Sequence, residues 1–507
     1  MTLSSGALSR RVRAVSWQRL YAVGVFLLFC FSLLSLLAPQ RTADLFETYG
    51  RFLLAALFGT FLCREGFPKE WLLRLHLGYL GWLLLTRWLN GDVYLFIDRE
   101  LVRTEALSFV MLTVGFVLGG EDRRRFLNAL SLVYAGFFVL FSALGLFVAV
   151  TGTYIHLPPE NVWITIRAAG NPVPLLNLLS SFRLTSAARL YLAWGLLGYQ
   201  FFRARRVLPR LLLVLGMMVL HLAIALCFSH TIWITFGLSL AMLVVLLGHR
   251  YLRLQNKALR IALLALCFAA VFFAGYKTFG LGLRLRDLLR AQLAPRYEQA
   301  YANSAHQLDP EYFGIAGPEP ELTVSTAPHV STESVLESGD LYLETPKSYN
   351  QTLTLSWRTL IWETVFYRAG REPAYLLRGQ LSDDLMGTTN RYLEGVYRIP
   401  RQPNMHNYIF QVVLLAGLPG LLLVLAWTLL SVRRLIRVFF SRGEQIPLAI
   451  AFLTIPLTGM FLFNMMEYEL FPAWDSSTRA FLLLLGIFTG IYHEYFPAQK
   501  APAEAEA

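Results

Sequence analysis

The sequence predicts an all-α polytopic membrane protein with about twelve transmembrane helices and one large outer loop that contains short helices. Three observations lead there. The 507 residues are 56% hydrophobic and only 15% charged, with a mean hydropathy of +0.49, whereas soluble domains carry about 45–50% apolar and about 25% charged residues. Apolar runs approach or exceed the roughly 20 residues a helix needs to cross the hydrocarbon core. Lys and Arg fall on alternate connections between those runs. A chain of this composition has no polar surface for life in water. Collagen, coiled coil, disordered tail and disulfide-rich secreted domain are excluded as well.

The runs cover residues 17–38, 46–63, 71–88, 101–120, 126–150, 184–202, 208–227, 231–248, 259–278, 407–431, 446–467 and 478–494. Arg74 and His76 interrupt the third. With the N-terminus inside, the inner segments hold 21 Lys and Arg and the short outer ones four. This asymmetry fixes orientation and places both termini in the cytoplasm. One extra or missing helix would scramble it. The basic stretch of Arg10, Arg11 and Arg13 precedes an uncleaved first span, not a signal peptide. The net charge of +12 therefore belongs mostly to inner loops facing anionic membrane lipid, and nucleic acid is not expected as a partner. Cys30, Cys63, Cys227 and Cys267 lie in or at the end of apolar runs without metal-ligand spacing and read as small buried hydrophobes.

The chain divides into a membrane bundle of nine spans over 1–278, a large outer loop over 279–405, three spans over 406–494 and a cytoplasmic tail over 495–507. A second long outer connection lies near 151–183. Long loops in compact architectures are usually functional. Within the large loop, residues 280–292 read as an amphipathic helix suited to the membrane interface, carrying Arg284, Arg286 and Arg290. Residues 297–346 hold nine acidic residues and no Lys or Arg, and read as flexible or loosely folded. Residues 355–370 have helical apolar spacing around Arg358 and Glu363 and read as a second outer helix. No phosphate-binding Gly-rich loop, HExxH, metal-ligand cluster or Ser nucleophile elbow is present. The short inner loops leave no room for a nucleotide-binding domain.

Chemistry concentrates at the outer boundary. In MHNYIFQVVLLAGLPG (405–420), His406 and Asn407 stand at the outer mouth of a span, with Gly417 and Gly420 further in. A histidine there is either an interfacial residue at a helix start or a general base. Asn407 can cap the helix or orient the ring. Arg183 stands at the start of another span. Arg189 lies inside that span's apolar run, where a guanidinium costs about 2.5–3.5 kcal/mol and so has a partner, snorkels outward or serves a function. Arg167 is a third outer cation, and His230 sits in the short outer turn FSHTIW.

The HN pair at 406–407 with GLPG at 417–420, the SWRTLIW segment at 356–362, the Arg183 segment and the layout of spans resemble the O-antigen ligase and O-antigen polymerase superfamily. The resemblance implies a bacterial inner-membrane, GT-C-like glycosyltransferase acting at the periplasmic face. The donor is an undecaprenyl-pyrophosphate-linked glycan. The acceptor is lipid A-core in ligases, and another lipid-linked repeat unit in polymerases. It implies catalytic roles for His406 and Arg183, and substrate binding by Arg167, Arg189, His230, Arg284, Arg286, Arg290, Arg358 and Asn407. No cofactor and no metal are expected. Where the family often shows Ser-Arg, this chain has Ser229-His230. The ligase reading leads; a repeat-unit polymerase and a lipid-linked oligosaccharide flippase or transporter are the alternatives.

Overall fold

The computed structural model describes residues 16–34, 40–89, 99–151, 155–157, 161–167, 175–178, 183–227, 229–252, 256–304, 362, 365–366, 369–370, 373–379, 407–441, 446–466 and 476–497. Helices α1 (Trp17–Leu34), α2 (Gln40–Glu65), α3 (Trp71–Leu89), α4 (Arg99–Val117) and α5 (Gly120–Thr151) open the bundle. After a small sheet come α6 (Arg183–Arg203), α7 (Val207–Leu226), α8 (His230–Tyr251) and α9 (Lys257–Ser304). Short α10 (Pro373–Arg378) precedes α11 (Tyr408–Phe439), α12 (Leu448–Phe452), α13 (Thr454–Met466) and α14 (Ser476–Tyr495). Seven described helices are long and apolar enough to cross a membrane. The chain is a helical multi-pass membrane protein, and its surface shows why. One side of α7 exposes Leu208, Leu211, Leu212, Leu215, Met218 and Leu222, an apolar face that only lipid solvates without penalty.

The interior is held by close helix packing. Helix α4 lies against α14, and a Cβ at Gly115 would collide with the backbone of Gly486, as one at Gly490 would with the backbone of Gly115. Small residues spaced four apart on α14 let the two backbones touch, which is the main source of helix adhesion where lipid removes the hydrophobic drive. At the arginine-rich end, Glu494 takes Arg123 and Arg124, Arg19 pairs with Asp122 at 2.8 Å, and Glu70 takes Arg434 and His493. These pairs tie the last turn of α14 to the starts of α3 and α5.

Three features differ from the sequence expectation. The connection near 151–183 contains an antiparallel sheet, β1 (Ile155–Leu157), β2 (Asn161–Arg167) and β3 (Leu175–Leu178), with Ile164 opposite Leu178 and Arg167 opposite Leu175. The β-branched run Val162, Ile164, Thr165, Ile166 favours a strand. The amphipathic segment 280–292 is no separate helix, because α9 runs unbroken from 257 to 304. Its Leu, Arg, Ala and Gln outweigh the roughly 1 kcal/mol cost of each of Gly280 and Gly282. The helix also claims the first residues of the acidic insert; 305–346 lie outside the described residues. Of the expected outer helix at 355–370, Trp362, Val365, Phe366, Ala369 and Gly370 are helical.

The third difference is the segment expected as a single span over 407–431. Gly417 has φ +64 and ψ −169, so α11 is two limbs, 408–416 and 418–439. The Tyr408 hydroxyl lies against the Thr428 side chain. In a straight helix, residues twenty apart are about 30 Å apart. Asn407 Nδ2 also donates to Met465 O at 2.7 Å, while Trp427 packs on Phe461 one turn earlier in α13. The short limb therefore folds back along the long one. The 22-residue second limb is long enough to cross a bilayer alone. Pro419 falls in its first turn, where a missing N–H costs nothing.

Candidate functional site

The bend is a clasp of two glycines. Gly379, at φ +66, ends α10, and Gly417 makes the bend. A Cβ at Gly417 would stand 2.6 Å from the carbonyl oxygens of Leu376 and Leu377, and one at Gly379 would stand 2.6 Å from Leu415 C and O. Each glycine allows the other's backbone to approach, and left-handed φ is cheap only without a Cβ. The Ala416 carbonyl, freed by the bend, accepts Trp82 Nε1 at 2.7 Å. Arg378 reaches the Leu89 carbonyl at 3.4 Å. The segment before the HN motif is thereby fastened to α3 and to α11.

The short limb starts at Asn407, whose Oδ1 accepts the Ile409 and Phe410 amides at 2.8 and 3.4 Å. This is a complete N-cap, and the same side chain's Nδ2 anchors it to α13. Asn407 therefore does cap the helix, but the helix start is buried in the bundle instead of standing at its mouth. Trp362 stacks on Phe410 at 5.2 Å, covering the limb.

Around this start runs a buried polar layer. His76 of α3 faces Trp427 at 6.3 Å and Phe109 of α4 at 6.1 Å. Trp427 faces Phe461, which faces Phe481 of α14 at 5.0 Å. These contacts bring to one level His76, Thr104 and Glu105, Thr428, Asn464, and Ser477 with Thr478. Glu105, Asn464 and Thr478 are wholly buried. Asn464 Nδ2 donates to Met460 O at 2.7 Å in its own helix. Its Oδ1, the Thr478 Oγ1 and both Glu105 carboxylate oxygens have no hydrogen-bond partner among the described residues. Buried polar atoms in that state are rare and call for an explanation.

The cationic candidates lie at several places in the fold. Arg183 is the first residue of α6 and His230 the first of α8, directly after the Ser229 cap. Tyr191 meets Ser239 at 2.6 Å, eight and nine residues further along, so Arg183 and His230 start at one level. Arg167 ends β2, whose sheet packs on α5 and α6. Arg189 is buried within α6. Arg286 and Arg290 lie on the extension of α9, and Arg284 is exposed there. His406 and Arg358 lie outside the described residues.

Sequence reasoning missed Glu105, Asn464 and Thr478. Glu105 had a signal, since it is a lone acid inside the fourth apolar run, and an ionisable residue at membrane depth is a functional candidate by default. No family model, no curated protein and no solved structure matches the chain.

Proposed function

We propose that the chain is a bacterial inner-membrane glycosyltransferase that moves a glycan from undecaprenyl pyrophosphate to an acceptor hydroxyl at the periplasmic face, most simply as an O-antigen ligase-like enzyme. The observation that carries this reading is the common level of Arg183 and His230 at the end of the bundle opposite the arginine-rich one. The HN-bearing limb of α11 is folded into the same bundle. In this reading about twelve helices cross the membrane, both termini are cytoplasmic, and the large loop is periplasmic.

Guanidinium groups at Arg183, with support from Arg167 and Arg189, hold the donor's pyrophosphate and stabilise the charge it gains on leaving. His406 takes the proton of the acceptor hydroxyl. The acceptor oxygen bonds to C1 of the sugar as the C1–O bond to pyrophosphate breaks. Direct attack inverts the anomeric centre. The lipid pyrophosphate departs as an anion, and neither nucleotide nor metal takes part.

The test is reconstitution with an undecaprenyl-pyrophosphate glycan and candidate acceptors, with and without chelator. Product should form equally in both. His406→Ala and Arg183→Ala should each abolish it while the protein still inserts. Lipid A-core as the working acceptor means ligase, and a second lipid-linked repeat means polymerase. The broken α11 and the polar layer favour a second reading, a lipid-linked oligosaccharide flippase or transporter, because discontinuous helices commonly line transport sites. Movement of labelled lipid-linked sugar across vesicles without product would establish it.

A further inference from the structure

Glu105 has no exposed surface, and its carboxylate makes no hydrogen bond to a described residue. The group that faces it is His76, whose Nε2 lies 3.6 Å from Oε2 and 3.3 Å from the backbone carbonyl of Glu105 itself. A carbonyl can only accept, so Nε2 carries the hydrogen in that contact. Helices α1, α2, α3 and α14 pack against α4. From α3 come His76, Tyr79 and Arg87, with Arg87 eleven residues beyond His76. From α14 comes the Thr478 hydroxyl, while Arg479 next to it donates to Ser32 of α1 at 2.6 Å. The Tyr21 hydroxyl of α1 meets Thr113, two turns along α4. Arg51, Arg64 and Glu65 of α2 are turned to the outside. His493 and Glu494 of α14 are engaged at the arginine-rich end.

A lone carboxylate in such a setting is costly unless a positive charge accompanies it. A metal cation beside Oε2 would meet the positive end of the His76 N–H. A proton suits the geometry, since it bonds to the carboxylate when the imidazole is neutral and to the imidazole when the carboxylate is charged. We propose that Glu105 and His76 form an intramembrane proton-binding site, in which one proton passes between the carboxylate and the ring. In the transfer, the Nε2–H bond of the imidazolium breaks as the O–H bond of the acid forms, which leaves the neutral ring with its hydrogen on Nδ1; the Nε2–H contact with the carbonyl belongs to the imidazolium state, and no other reactant is needed. The site adjoins Trp427, next to the threonine that Tyr408 touches, so its charge bears on the seat of the folded limb. It does not depend on glycan transfer being the activity.

The experiment is an infrared pH titration of the full-length protein in lipid vesicles between about pH 5 and pH 9. A carboxylic-acid carbonyl band should appear and vanish with pH, be absent in Glu105→Gln, and titrate at a different midpoint in His76→Gln. Sodium chloride at fixed pH should leave it unchanged. A band that survives Glu105→Gln, no titrating band at all, or a band removed by sodium would overturn the proposal. If Glu105→Gln does not fold, the wild-type titration with isotope-labelled glutamate and the His76→Gln comparison decide the question.

Discussion

Replacing Gly417 with alanine tests the clasp that shapes α11. The new methyl group faces two penalties. Positive φ combined with the extended ψ of −169, a region essentially restricted to glycine, costs an ordinary residue about 1–3 kcal/mol. The Cβ would also stand 2.6 Å from two carbonyl oxygens of α10, and overpacking of this kind costs about 1–3 kcal/mol. The sum is about 2–6 kcal/mol, or a fall in melting temperature of roughly 2–6 °C for a chain of 507 residues. Gly379→Ala meets two penalties of the same kind, a positive φ of +66 and a close approach to Leu415. Because both act on one junction, the double variant should lose less than the two single losses combined. Gly136→Ala is the control: nothing lies within 4 Å of its Cβ, and a helical Gly→Ala exchange gains about 1 kcal/mol. Scanning fluorimetry in one detergent reads the four variants beside the wild type. A Gly417→Ala protein that melts with the wild type would show that the limbs are not clasped there, and the folded-back geometry would go with it.

At the arginine-rich end, burial pushes the Glu70 carboxyl up, but His493 and Arg434 more than reverse this and hold it at about 2 against an ordinary 4.5. The folded value is the lower one, so the contribution is complete above about pH 4.5 and is lost as pH falls towards 2. Melting temperature measured against pH should decline over that window in the wild type and stay flatter in Glu70→Gln. Asn407→Ala should cost about 0.5–2 kcal/mol through the lost cap, and a cysteine pair placed at 407 and 465 should cross-link readily in a wild-type background. A pair that fails to cross-link would contradict the contact with α13. For the transferase, His406→Ala and Arg183→Ala should retain membrane insertion and wild-type melting while product formation disappears; retained activity in either removes that residue's role.

Helix positions were legible because apolar runs of membrane length leave the chain few choices. All twelve runs contain helix, most with ends displaced by a few residues, but α9 continues to 304 where the run ends at 278 and α11 to 439 where it ends at 431. The bend was not legible. The run 407–431 reads as one span because hydropathy carries no information on φ, and a GLPG sequence fits a close helix contact as well as a reversal. What decides between them is α10, some forty residues earlier, whose backbone occupies the space a Gly417 side chain would need. The sheet was hidden for another reason: the alternation through Val162, Ile164 and Ile166 covers only three alternate positions, too short a pattern to separate a strand from an irregular outer connection. Asn464 and Thr478 are ordinary polar residues near helix ends, and only the stacking of Trp427, Phe461 and Phe481 reveals that they share a level with Glu105.

The doubled-back α11 also has a consequence for biogenesis. An insertion machinery that tests hydrophobicity segment by segment meets 32 residues of helix-forming, largely apolar chain and accepts them as one passage. The finished protein uses only the second part as a passage. The nine-residue first part is about 13.5 Å long, too short to rest in lipid by itself, with an asparagine at its tip. Its final seat is made by α3, synthesised more than three hundred residues before it, and by α13, synthesised after it. The short limb can therefore settle only once α13 has been made, which makes it a late step in assembly, and a chain truncated before α13 should leave it unseated even though every helix upstream is in place.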